Sequence, residues 1–411
     1  MPQLLSAYLF LVALLAVGLL APPCIALGRR WGVLDHPDNG GRKVHKDPTP
    51  LTGGWAIFGA LTIVLWGHLF AGLLLHSNTR LALLRDPLRT WLAGAPSLIG
   101  LVLPLYAGAA ATFLLGLADD LRGMSVRLRL LLQTIIALGL VAAGERPNLG
   151  FAPEWVAWAV GVVWIVGITN AFNFLDGLDG LSAGVALVAT LPLWLIAATV
   201  GNQPAVTGFL AAQAGLLLGF LRYNFRPGPA RVFLGSSGSL LIGFLLAAST
   251  LRVSYYANEA NWLVPLLTPV FILAVPIYDT TSTVLIRLAL RRNVAMGDQS
   301  HFHYRLRRLG FSPREVVVFV CVVAFAAGLS AVSLVKASLK EGLVVTVQTT
   351  AILSLIVLAE RVAHRARRQL LDRRLKRELG KTDTGWANGD GGTGSGAGLT
   401  ETKSGTNAGP A

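Results

Sequence analysis

The chain has 411 residues, of which 54% are hydrophobic and only 14% are charged, where a soluble domain carries about a quarter charged residues. Apolar runs of about 18 residues or more recur along it, each long enough to cross a bilayer, which excludes an ordinary soluble globular protein and a disordered one. The runs are continuous rather than alternating, which argues against a β-barrel, so the predicted fold class is all-α, a polytopic membrane helix bundle. The formal charge is +14. In a soluble protein that would point to nucleic acid; here basic loops that fix membrane topology account for it, and no nucleic-acid partner is expected. Anionic phosphorylated substrates would share some of these charges.

Eleven spans are predicted, near 4–27, 51–75, 96–118, 128–143, 153–172, 181–200, 204–221, 237–252, 262–286, 315–335 and 342–360. The first lacks a basic n-region and a clear cleavage site, so it reads as a membrane helix and not a signal peptide. With the N-terminus outside, the inside loops and the C-terminal tail hold 28 Lys and Arg against 7 on the other side. Positive-inside bias therefore favours an outside N-terminus and a cytoplasmic C-terminus. A membrane domain over 1–365 is expected to be followed by a tail over 366–411, which is basic at first and then rich in Gly, Ser and Thr, unable to bury a core. The two cysteines, Cys24 and Cys321, have no metal-type spacing and read as small apolar helix residues.

Polar residues collect at the inside helix ends, in five segments. Asp35 to Gly54 holds Arg42, Lys43, His45 and Lys46 just before a helix, where an anion could meet a helix N-terminus; a plain topology anchor is the alternative. Asp119 and Asp120 are adjacent carboxylates at a helix end. They repel unless a hard cation such as Mg2+ intervenes, and as i,i+1 neighbours they do not share a helix face. Arg127 and Arg129 follow and could hold phosphate. Asn170, Asn173, Asp176 and Asp179 recur every three residues, with Gly177 and Gly180 breaking the helix, an arrangement suited to a nucleotide base or a metal–diphosphate. In Asn224 to Ser239, Phe233 could stack on a base, and the Gly/Ser turn after it could offer N–H groups to phosphate. Last, His301 and His303 lie in a loop with seven basic residues and suit phosphate binding or proton transfer. They would share a face in a strand but not in a helix. Asp279, just after Pro276, is either a further site residue or a polar contact within the bundle.

Together these segments resemble the polyprenyl-phosphate N-acetylhexosamine-1-phosphate transferases, the superfamily that includes phospho-N-acetylmuramoyl-pentapeptide translocase. The resemblance runs from about Asp35 to Gly310. Arg42-Lys43-Val44-His45 with Gly53-Gly54 looks like the undecaprenyl-phosphate N-acetylglucosamine-1-phosphate transferase branch. The resemblance implies transfer of a sugar 1-phosphate from a UDP-sugar to polyprenyl phosphate, with Mg2+ or Mn2+ as cofactor. It places the reaction at the cytoplasmic face of the bacterial inner membrane, as an early step of cell wall or lipopolysaccharide biosynthesis, and brings the expectation of a homodimer. Residue by residue it implies catalytic roles for Asp119, Asp120, Asp176, His301 and His303. It implies substrate contacts for Arg42, Lys43, His45, Arg129, Asn170, Gly177, Leu178, Asp179 and Phe233, and metal contacts for Asn173, Asp176, Asp120 and position 236. The family carries Asp at this last position, in Phe-Met-Gly-Asp-x-Gly-Ser; here it is Ser236, a weaker ligand for a hard cation. Tyr304 stands where a third histidine is often found. A binding protein that lost its chemistry through Ser236 is the alternative reading. A transporter would need ionisable residues at helix centres, and here they sit at helix ends.

Overall fold

The computed structural model describes residues 2–37, 47–77, 99–149, 152–200, 203–253, 255, 265–291, 301–355, 357–358 and 362. Two units are distinguished, Met1–Glu360 and Arg361–Ala411. The second is outside the described residues apart from Val362, and with it the tail predicted over 366–411.

The first unit is a helix bundle. In chain order it runs α1 (Pro2–Arg30), β1 (Leu34–Asp35), β2 (Thr49–Pro50), α2 (Gly53–Ser77), α3 (Ile99–Arg122), α4 (Val126–Ala142), α5 (Glu154–Leu175), α6 (Leu181–Thr199) and α7 (Pro204–Asn224). It continues with α8 (Gly235–Arg252), a 3-10 turn (Pro265–Leu267), α9 (Thr268–Ile272), α10 (Ala274–Ala289), α11 (Phe302–Arg308) and α12 (Pro313–Leu334). A further helix covers 339–355. Among the described residues seven helices, α1, α2, α3, α5, α6, α7 and α12, are long and apolar enough to cross a membrane, as a polytopic helical membrane protein requires. On α12, Val318, Val322, Phe325 and Leu329 are exposed; their spacing of three and four residues makes one helix face, as expected of a face turned to lipid.

The region predicted as one span over 262–286 is divided. Pro265, Pro269 and Pro276 each lack the N–H that a continuous helix needs, and the chain leaves helical geometry at Leu273 (φ −101°, ψ 22°) between α9 and α10. The regions predicted over 128–143 and 237–252 are the shorter helices α4 and α8.

Helix α8 is the axis of the bundle. It packs against α2, α3 and α5, and its residues from Ser237 to Thr250 are buried. Glycines set these contacts. A Cβ at Gly54 would run into the Gly238 backbone, one at Gly116 into the backbone of Ser236 and Ser237, and one at Gly243 into that of Thr169. Small residues allow such close approach where apolar burial from water does not drive helices together. Buried polar side chains add cross-links. Gln213 Nε2 donates to Thr190 Oγ1 at 3.0 Å and Trp164 Nε1 to Thr250 Oγ1 at 2.8 Å. At the far end of α8, Arg252 pairs with Glu145 at 2.5 Å, both side chains at most 10% exposed.

Candidate active site

The C-terminal ends of α1, α3, α5 and α7 meet the N-terminal ends of α2, α6 and α8 at one end of the bundle. The short ribbon pairs Leu34 with Pro50 and Asp35 with Thr49. Phe233 N–H donates to Pro50 O at 2.8 Å, and Gly53 and Gly54 N–H donate to Phe233 O and Leu234 O at 2.9 and 3.1 Å. These bonds lock the segment before α8 to the start of α2 and so place Phe233. The α5–α6 turn is pinned separately. Gly180 takes the left-handed conformation (φ 83°) that glycine adopts at no steric cost. Its N–H donates to Asn224 Oδ1 at 2.6 Å, while Asn224 Nδ2 donates to Val232 O at 2.9 Å.

Between these segments lies a cleft of about 920 Å³, lined by Asn173, Asp176, Gly177, Leu178, Asp179, Phe233, His301 and Tyr304 among others. That size is ordinary for a small-molecule site. Arg29, Arg226 and Arg231 line it as cations, and Asp35 and Asp47 as further acids. Arg314 Nη2 donates to Arg226 O at 2.7 Å and ties the start of α12 to this wall. Arg29, Arg226 and Arg231 were legible in sequence only as topology charges; no spacing distinguished them.

The adjacent aspartates diverge, as i,i+1 neighbours on a helix must. Asp119 Oδ2 pairs with Arg129 Nη1 at 2.9 Å, and its Oδ1 accepts from Met124 N–H at 2.9 Å, closing the α3–α4 turn. Asp120 instead reaches the start of α8, accepting the N–H groups of Ser236 at 2.6 Å and Ser237 at 3.0 Å. A carboxylate there meets unpaired amides and the positive end of the helix dipole. Asn170 is a turn away from the cleft. Its Nδ2 donates to Gln133 Oε1 at 2.7 Å and Val166 O at 2.8 Å, joining α5 to α4. Arg42, Lys43 and His45 lie outside the described residues.

The histidines divide in the same way. His301 precedes α11 and lines the cleft; its Nδ1 is 2.9 Å from Asp279 Oδ2. His303, inside α11, is fully buried, and neither ring nitrogen has a hydrogen-bond partner among the described residues. A Cβ on Gly177 would collide with its Nε2, so His303 is the packing support of the Asp176–Gly180 turn. Burial, chiefly, pushes His303 down to about 4. A histidine neutral when folded but free to take a proton at about 6.5 when unfolded lowers stability as pH falls through that window. Thermal unfolding is expected to lose up to about 3 kcal/mol between pH 6.5 and 4 on this account. In His303→Phe the loss over that range should be smaller, and an unchanged pH slope would contradict the assignment.

The acids of the cleft bear on a cation. Burial first, then the carboxylates of Asp120, Asp179 and Asp35, hold the Asp176 carboxyl well above the usual carboxylate range. Asn173 Nδ2 donates to Ser239 Oγ at 2.9 Å, so its carbonyl oxygen is the atom left for a ligand. Among the described residues no group of three or more His, Cys, Asp or Glu is clustered as a complete metal shell. Mg2+ needs none, since it is commonly held by one or two carboxylates, water and substrate phosphate. Crowded acids beside an amide oxygen fit such a partial shell, made of Asp176, Asn173 and a bound diphosphate.

A membrane helix bundle whose helix ends enclose a cleft of arginines, carboxylates and a histidine is a polytopic membrane protein with a site suited to an anionic ligand. The glycosyl transferase family 4 model matches residues 102–254, the stretch from α3 to the end of α8. The chain is 31% identical over 338 residues to a probable undecaprenyl-phosphate N-acetylglucosaminyl 1-phosphate transferase of Bacillus subtilis, covering 80% of this chain and 85% of that protein. It is 30% identical to a decaprenyl-phosphate N-acetylglucosaminephosphotransferase of Mycobacterium tuberculosis, over 75% of this chain and 78% of the relative. It is also 30% identical to a phospho-N-acetylmuramoyl-pentapeptide-transferase of Moorella thermoacetica, over 74% and 91%. The chain belongs to glycosyl transferase family 4, the polyprenyl-phosphate sugar-1-phosphate transferases, and is a phosphotransferase.

Proposed function

We propose that the protein transfers N-acetylglucosamine 1-phosphate from its UDP donor to a polyprenyl phosphate, releasing UMP. The observation that carries this reading is the convergence of Asn173, Asp176, Phe233, His301 and three arginines on one cleft. An oxygen of the lipid phosphate attacks the sugar-bearing phosphorus. A new O–P bond forms, the bridging bond to UMP breaks, and its electron pair leaves with UMP. The attacking phosphate is already ionised near neutral pH, so no carboxylate need take a proton from it. Joining two anions makes charge compensation the main task. Arg29, Arg226 and Arg231 supply it on the walls, Phe233 offers a ring to the uracil, and the turn from Gly177 to Asp179 shapes the nucleoside pocket. Asp176 and Asn173 are the residues that would hold a divalent cation, which would neutralise diphosphate charge when bound.

Ser236 lacks the charge of the Asp that the family resemblance implies at that position. Asp120, hydrogen-bonded to the Ser236 N–H itself, supplies a carboxylate beside it. The positive-inside bias supports eleven crossings, an outside N-terminus, and a cleft facing the cytoplasm at the bacterial inner membrane. In this reading the protein, acting as a homodimer, begins a cell-envelope glycan.

The test is UMP release by purified full-length protein given UDP-N-acetylglucosamine, undecaprenyl phosphate and Mg2+. Release that needs lipid and metal is expected. Ser236→Asp should then lower the Mg2+ concentration for half-maximal rate by about tenfold, because a carboxylate binds this hard cation better than a hydroxyl. A silent wild type with an active Ser236→Asp variant would reverse the reading and favour a binding protein that lost its chemistry.

A further inference from the structure

Asp279 does not line the cleft and has been given no role beyond its contact with His301, yet it is fully buried in α10. A buried carboxylate is costly unless its oxygens are hydrogen-bonded, and both are. Oδ1 accepts the Phe302 N–H at 2.7 Å, and Oδ2 meets His301 Nδ1 at 2.9 Å. Thr283 Oγ1 backs the same nitrogen at 3.4 Å. The ring also meets Phe174, centroid to centroid at 5.1 Å, and stacks on His303 at 5.8 Å, and His301 lines the cleft while Asp279 does not.

These contacts leave the imidazole one arrangement. A carboxylate can only accept, so Nδ1 carries a proton toward Asp279, and Nε2 is the nitrogen left for the cleft. We propose that Asp279 is a positioning residue that fixes the tautomer and orientation of His301, so that His301 Nε2 meets a phosphate oxygen of the bound nucleotide-sugar. The proposal rests on the transferase reading for its ligand, but its geometry stands on this chain alone. The Phe302 N–H bond gives the carboxylate a second task. It holds the first turn of α11, so ring and backbone are set by one side chain. An asparagine keeps an acceptor at only one of the two positions and turns an NH2 donor toward the other.

Asp279→Asn in the full-length enzyme is expected to lower kcat by about 10- to 100-fold, the range seen when a catalytic group is misplaced, with KM for the UDP-sugar changed less than about threefold. In a His301→Ala background the same change should cost less than about threefold, because residues acting through one another are not additive. An equal loss in both backgrounds would overturn the proposal. Should Asp279→Asn fail to fold, 15N-histidine NMR of the wild type decides. A His301 signal with Nδ1 protonated, assigned by its loss in His301→Ala, is expected; a bare Nδ1 with protonated Nε2 would overturn the proposal. That spectrum does not depend on turnover, so a failure of the transferase reading is read separately, from the absence of UMP release by the wild type.

Discussion

Asp176→Asn is expected to lower kcat/KM for UMP release by about 10³-fold, the upper range for losing one preorganised electrostatic group, while UMP binding changes less than about threefold. Asp176 ends α5 and lines the cleft, where Asp120, Asp179 and Asp35 crowd it. Such crowding disfavours ionisation unless a cation occupies the space, so this carboxylate has most to gain from a metal and loses most as an amide. In the proposed function the nucleoside contacts lie further along the turn and on Phe233, which separates rate from binding. The rate of Asp176→Asn at saturating Mg2+, beside its UMP affinity by calorimetry, checks this. A variant within about tenfold of wild type would remove Asp176 from the metal shell and leave Asp120 as the principal acid.

Gly116→Val should be among the severely damaging single changes in the bundle. A Cβ there would overlap the backbone of Ser236 and Ser237, the residues whose N–H groups Asp120 holds. Neither backbone nor carboxylate can move aside without giving up those bonds, so the cost should reach about 3 kcal/mol or more, the severe end of overpacking. Loss of a monodisperse detergent-solubilised protein, or a large drop in unfolding temperature, is the expected result. Gly18→Ala is the control. Nothing lies within 4 Å of a Cβ at Gly18, and alanine is favoured over glycine in a helix interior by up to about 1 kcal/mol. Equal stability of the two variants would show that α3 does not rest on α8 through this glycine.

Much of the site is written in local sequence. The run from Asn170 to Gly180 and the ring of Phe233 stand out because polar residues and glycines interrupt apolar helices, and both reach the cleft. Spacing could not show which members of each pattern face it. Asn170 and Asn173 look equivalent by period, yet one bonds Gln133 across the bundle and the other faces the cleft. The loop with His301 and His303 is helical only from Phe302; His301 is the extended residue before it and lines the cleft, while His303, its ring stacked on that of His301 at 5.8 Å, is buried under Gly177. The opposite commitments of Asp119 and Asp120 depend on where α4 and α8 pass, which is tertiary information. The arginines of the cleft were hidden for a different reason. A membrane protein needs basic loops for topology, so a functional arginine carries no compositional mark. The broken region around Leu273 had its signal in three prolines, masked by the apolar run that contains them.

The cleft joins Arg29, at the end of the first helix, to His301 and Tyr304, which follow α10. Membrane helices are delivered in order during synthesis, so the last wall arrives only after most of the chain has been inserted. Until then the cleft lacks the wall that carries His301 and Tyr304. The Asp120 clasp on α8 forms earlier, between segments that are both already inserted. Assembly thus runs from a fixed axis to a late closing wall.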